Sequence, residues 1–107
     1  MKIHGVSQTT GAERLLELTT TPSGVLFVFN DSMGHNAERI VIEPEFLITI
    51  LTDHPEGKKT LIGMSGSETR GMKVEVRKNE VLFTLGRMDA AVGLDDLMDA
   101  LAAIPSA

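Results

Sequence analysis

The sequence Met72-Lys73-Val74-Glu75-Val76-Arg77-Lys78-Asn79-Glu80-Val81-Leu82-Phe83-Thr84-Leu85 shows the clearest structural pattern in the chain. Apolar and polar residues alternate on both sides of Lys78-Asn79. This alternation predicts two strands with one buried face each, because successive side chains of a strand point to opposite sides of the sheet. With a two-residue turn at Lys78-Asn79, Val74 lies opposite Phe83 and the apolar side chains share one face. We therefore predict a β-hairpin, with a four-residue loop as the alternative to the tighter turn.

Helices are expected on both sides of this hairpin. Apolar residues near the C-terminus recur at helical spacing and predict an amphipathic helix; they are Leu94, Leu97, Met98, Leu101 and Ile104. Thr10 and Glu13 have the spacing of a capping box, which predicts a short N-terminal helix over residues 11–18. Residues 44–52 are ambiguous, because Pro44-Glu45 suits a helix start whereas the β-branched run Ile48-Thr49-Ile50 suits a strand. We favour the helix there.

These elements define an α+β fold class: an antiparallel sheet of four to five strands, a C-terminal amphipathic helix packed on one face and a short N-terminal helix. Residues 25–29, Val-Leu-Phe-Val-Phe, are apolar on both faces, which predicts a strand covered on both sides. A second copy of the chain is one way to provide that cover, so we expect a homodimer. We expect a single domain over residues 1–107, and we find no internal repeat in the sequence.

Composition excludes several classes of protein. The chain has no cysteine, which rules out disulfides and thiolate metal sites and favours the cytoplasm. Its longest apolar run, residues 25–29, is too short to cross a bilayer, so no membrane association is expected. The three histidines His4, His35 and His54 lie in separate segments without metal-binding spacing. We therefore expect no metal, no cofactor and no catalytic residue.

The charges of the chain are unevenly placed. Six of its ten basic residues lie within residues 57–78, although the formal net charge of the whole chain is −5. A solvated surface of mixed sign is the simplest explanation of such a band. The alternative is a sheet face that follows the phosphates of a nucleic acid. The candidate partner-binding or nucleic-acid-binding residues are Lys58, Lys59, Arg70, Lys73 and Arg77.

The first functional hypothesis from the sequence is a small soluble interaction module without catalytic activity, acting as a homodimer through protein contacts. A second is a single-strand nucleic-acid binder that uses the basic face of the hairpin. A third is a small acidic inhibitor that binds a basic protein surface; its candidate acidic patch is Asp89, Asp95, Asp96 and Asp99. A minor enzyme or ligand-binding domain is the fourth alternative.

Overall fold

A computed structural model of the chain describes residues 1–31, 33, 36–53 and 57–104. The described residues form eight strands that pair in sequence order and close into one antiparallel barrel, together with two helices. The strands are β1 (Lys2–Val6), β2 (Glu13–Thr21), β3 (Gly24–Asp31), β4 (Asn36–Ile42), β5 (Gly57–Ser65), β6 (Glu68–Val76), β7 (Glu80–Leu85) and β8 (Met88–Gly93). The helices are α1 (Pro44–Asp53), between β4 and β5, and α2 (Leu94–Ala102), after β8.

The predicted α+β class, with its sheet of four to five strands, is therefore wrong. The largest single error is the N-terminal helix at residues 11–18, because residues 13–21 form β2. Leu16 and Leu18 are buried there at a spacing of two, and the threonines that follow them suit an extended chain. Thr10 does not cap a helix; its hydroxyl accepts a hydrogen bond from the Ala12 amide in a tight turn.

The strongest predictions from the sequence are confirmed. The hairpin forms from β6 and β7, with Val74 opposite Phe83 and Val76 opposite Val81. Residues 44–52 are helical, as favoured, and the C-terminal helix begins at Leu94. Residues 25–29 lie in β3 between β2 and β4, and Val25, Phe27 and Phe29 are buried. Local alternation and helical spacing thus specify these elements without help from the rest of the chain.

The barrel is filled by apolar side chains. The Phe83 ring packs against the rings of both Phe27 and Phe29, with centroids 6.0 Å apart in each case. Both helices follow strands at the same end of the barrel and belong to the same core, so they close that end. The helices bury residues at equivalent positions: Leu47, Ile50 and Leu51 on α1, and Leu97, Ala100 and Leu101 on α2.

The element order contains an internal repeat that the sequence analysis missed. Four strands and a helix occur twice, as β1–β4 with α1 and as β5–β8 with α2. Short matching segments support this alignment once the structure gives the register. Val25-Leu26-Phe27 of β3 corresponds to Val81-Leu82-Phe83 of β7, and residues 3–7, Ile-His-Gly-Val-Ser, correspond to residues 61–65, Leu-Ile-Gly-Met-Ser.

Equivalent residues join the two halves of the barrel. Strands β1 and β8 are paired only at Val6 and Ala91 among the described residues, and β4 and β5 only at Val41 and Met64. Each of these seams contains a glycine, Gly5 in β1 and Gly63 in β5. A Cβ at Gly5 would lie 2.6 Å from the Ala91 carbonyl oxygen, and one at Gly63 would collide with the carbonyl oxygen of Val41. Both seams therefore need a residue without a side chain.

We expect Gly5→Ala and Gly63→Ala each to lower the free energy of unfolding by about 1–3 kcal/mol, because the added methyl must displace backbone. Urea denaturation followed by circular dichroism measures this change. The control is Gly71→Ala in β6, where the nearest atom to a new Cβ is the Thr60 Cγ2 methyl at 3.1 Å. If the control loses as much stability as the seam variants, the seams impose no special constraint.

Candidate binding face

Three lysines of the second half line one concavity: Lys58 and Lys73 lie on its outer face, whereas Lys59 lies opposite the buried Val74 and therefore on the side that faces the barrel core. Lys58, Lys59 and Lys73 line a shallow concavity of about 430 Å³ on strands β5 to β7. The backbone register places Thr60 opposite Lys73, and Lys73 opposite Thr84. The concavity thus combines ammonium groups, the carboxylate of Glu75 and two threonine hydroxyls that can donate hydrogen bonds. We define the binding face by the three lysines and the two threonines.

Two of these lysines form no ion pair with any residue that the structure describes. Lys58 Nζ lies 3.8 Å from Glu75 Oε1, an exposed pair of small energetic value. Within the part of the chain that the structure describes, Lys59 and Lys73 form no ion pair. In a protein of net charge −5 these two ammonium groups give the concavity a local positive charge, which Glu75 in the same lining offsets only in part.

Arg70, also predicted to belong to this face, lies elsewhere. It is near the start of β6 and forms a bidentate pair with Glu38, with Nη1–Oε1 and Nη2–Oε2 distances of 3.2 and 3.1 Å. The hydrogen bonds from Arg70 outweigh burial and hold the pKa of Glu38 below its ordinary value. Gly86 packs directly over the pair, where a Cβ would collide with the Glu38 carboxylate. Arg70 is therefore structural.

Arg77 is the second predicted residue that is not available. Its Nε donates to Glu75 Oε2 at 2.8 Å, and its Nη1 lies 3.5 Å from Glu80 Oε1. The hydrogen bond from Arg77 lowers the pKa of Glu75, and the same bond raises the pKa of Arg77. The structure thus brings together three of the five predicted residues and assigns Arg70 and Arg77 to ion pairs.

The sequence analysis missed the threonines of the binding face. Thr84 was part of the predicted hairpin, and neither Thr84 nor Thr60 was given a role. Thr84 could have been found, because the predicted hairpin register already puts it opposite Lys73. The position of Thr60 depends on the pairing of β5 with β6, for which the sequence offered no turn of defined length.

The corresponding place on the first half has a different charge arrangement. Lys2 corresponds to Thr60, Glu17 to Lys73 and Val28 to Thr84 in the internal repeat. Lys2 Nζ lies 3.5 Å from Glu17 Oε1, so the cation is neutralised there. Val28 is buried and offers no hydroxyl. The free positive charge is therefore specific to the second half and is not imposed by the shared fold.

The predicted acidic patch is divided in the same way. Asp89 accepts hydrogen bonds from the Ser7 hydroxyl at 2.6 Å and from the amides of Gln8 and Thr9. Burial opposes its ionisation, but these hydrogen bonds prevail and lower the pKa of Asp89. Asp89 thus anchors the turn after β1. The other three carboxylates, Asp95, Asp96 and Asp99, are exposed on α2.

Metal-binding clusters are absent from the ranges that the structure describes. No group of three His, Asp or Glu side chains there is placed to hold a metal ion. His4 is exposed on β1, whereas His35 and His54 fall outside the described residues. Of the two helices in those ranges, neither is long and apolar enough to cross a membrane. Comparisons with protein families, with curated proteins and with solved structures find no match for this chain.

The carboxylates of Glu38 and Asp89 predict how stability depends on pH. Their folded pKa values lie below the ordinary values of 4.5 and 3.8, so ionisation stabilises the fold above those values. This stabilisation is lost as the pH falls through the folded pKa values. We expect the free energy of unfolding, measured by urea titration, to decrease below about pH 4.5.

Variants test the source of that acid sensitivity. Glu38→Gln should cost about 1–3 kcal/mol at neutral pH, because it removes charge-assisted hydrogen bonds, and should flatten the acid limb of the profile. Glu68→Gln changes an exposed carboxylate of β6 and serves as the control. An acid limb unchanged by Glu38→Gln would contradict the role given to the Glu38–Arg70 pair.

Proposed function

We propose that this chain is a non-catalytic binding protein that holds single-stranded nucleic acid on the binding face, in the cytoplasm. The observation that supports it is the convergence of Lys58, Lys59 and Lys73 on one concavity, with two of the three unpaired among the described residues. Ammonium groups and hydroxyls are the donors that contact backbone phosphates. The absence of cysteine supports the cytoplasmic setting.

The chemistry of the face favours phosphates over bases. Phe27, Phe29 and Phe83 are buried in the barrel, and Phe46, the remaining aromatic residue, is exposed on α1 and does not line the concavity. A strand bound here would be held without base stacking, and thus without sequence preference. A single strand fits better than a duplex, because the concavity is small and the rest of the protein is acidic, which repels a long polyanion.

Binding to a fluorescent oligothymidine should therefore be weak and strongly salt-dependent. Three phosphate contacts predict a slope of about −2 in a plot of log affinity against log salt for a single strand. Fluorescence anisotropy over a salt series measures this slope. Lys73→Glu reproduces the carboxylate of the first half and should weaken binding and reduce the magnitude of the slope by about 1.

The matched control is Arg39→Glu, which makes the same charge change on the outer face of β4 in the first half. Arg39→Glu should leave the slope unchanged. It should reduce affinity only slightly, because it makes the net charge of the protein more negative. Equal losses in both variants would indicate diffuse attraction and contradict a defined face. Failure of the unmodified protein to bind at low salt would refute the proposal altogether.

Self-association, with contacts between protein molecules, is a second candidate function. The outer side of β3 needs little cover from a second copy of the chain, because Val28 there is only 6% exposed and Leu26 is half-buried. A different observation supports it. Ile62 and Met64 are 59% and 42% exposed, and Met64 is paired with the half-buried Val41 across the β4–β5 seam. Exposed apolar side chains grouped in this way are typical of protein interfaces.

Light scattering after size-exclusion chromatography tests this candidate. If the patch is the interface, the chain should elute at twice 11.6 kDa, and Ile62→Lys should give the monomer. Thr60→Lys adds the same charge two residues away on the same strand face and should leave the dimer intact. An 11.6 kDa particle at micromolar concentration would exclude self-association through this patch.

A further inference from the structure

A second concave surface lies at the end of the barrel that the helices close. It is a groove of about 570 Å³ between the β2–β3 turn, the start of α1 and the end of α2. Its floor is apolar, and the hydroxyls of the turn form one wall. The principal residues are Val25, Ile48, Leu101 and Ile104 on the floor, and Thr21 and Ser23 in the wall.

The internal repeat explains why the groove is open on this side. In the second half, the Leu94 amide at the start of α2 donates to the Asn79 carbonyl oxygen at 3.0 Å, which ties the β6–β7 turn to the helix. The residue corresponding to Leu94 in the first half is Pro44, which has no amide hydrogen. The β2–β3 turn therefore lacks this bond to α1, and the space between them is the groove.

The charges around the groove have one sign. Glu43 and Glu45 line it on either side of Pro44, and both are exposed. No lysine, arginine or histidine is among its described lining residues. The C-terminal end of α2, at Leu101 and Ala102, borders the groove with the negative end of a helix dipole, whereas the start of α1 borders it with a positive end, so the negative charge of the groove comes from the two carboxylates. The groove thus combines an apolar floor with an electronegative rim.

We infer that this groove docks a cationic amphipathic segment of a partner protein. The apolar floor can take the aliphatic side chains and the methylene stems of lysine or arginine. Glu43 and Glu45 can then receive the cationic heads. An anionic or neutral segment would gain the apolar contacts without the charge pairing, so charge determines the choice of partner.

The experiment compares two synthetic peptides with the same sequence pattern. One is built of leucine and lysine, and the other has glutamate in place of every lysine. Amide NMR titration should show the lysine peptide shifting Thr21, Ser23 and Ile48, with an affinity at least about tenfold above that of the glutamate peptide. Equal affinity for both peptides, or shifts spread evenly over the acidic surface, would overturn the inference.

Matched variants separate the groove from general attraction to an acidic protein. Glu43→Gln combined with Glu45→Gln should reduce affinity for the lysine peptide about tenfold. The control, Asp95→Asn combined with Asp99→Asn, removes the same charge from the exposed face of α2 and should change affinity less than about twofold. Equal losses in the two double variants would contradict docking in the groove. Circular dichroism should show that all variants keep the fold.

Discussion

Closure of the barrel depends on two places where strands from different halves approach closely. Val6 and Ala91 form one contact and Met64 and Val41 the other, and each requires a neighbouring glycine. Each half is a four-stranded sheet with one apolar face, which cannot remain exposed to water. Joining the halves buries both faces against each other, and the contact of Phe27 with Phe83 is the centre of that burial. The helices then cover the remaining open end.

Secondary structure that depends on local sequence patterns could be predicted, whereas structure that depends on contacts between distant residues could not. The hairpin at residues 72–85 could be predicted with its register, because alternation and turn length fix both. The helix wrongly predicted at residues 11–18 contains Leu15, Leu16 and Leu18, whose spacing fits either a helix or a strand; pairing with β1 and β3 decides for the strand. Closure of the barrel could not be predicted, because nothing local distinguishes Gly5 and Gly63 from ordinary turn glycines.

The candidate site was predictable to a similar extent. The excess of basic residues at 57–78 identified the correct region, and the alternation put Lys73 on the outer face. The prediction was wrong about which basic residues are used in ion pairs. Arg70 pairs with Glu38, which is 32 residues away in the sequence, and no local pattern reveals such a contact. The predicted hairpin register, with Val74 opposite Phe83, also places Arg77 opposite Glu80, so the ion pair of Arg77 with Glu80 could be anticipated from the sequence. Charge content alone cannot separate free cations from those used to stabilise the fold.

The internal repeat offers a way to make that separation within a single chain. Both halves face the same structural demands, so equivalent positions that agree, such as Gly5 and Gly63, are those that the fold requires. Equivalent positions on the outer surface that differ between the two halves are not fixed by the fold. Glu17 in place of Lys73 pairs with Lys2 and leaves that surface neutral, and Pro44 in place of Leu94 has no amide hydrogen for the bond that ties the turn to the helix. The second half therefore carries the lysine-lined concavity, whereas the groove with its two carboxylates lies where the first half meets the end of α2 on the same core.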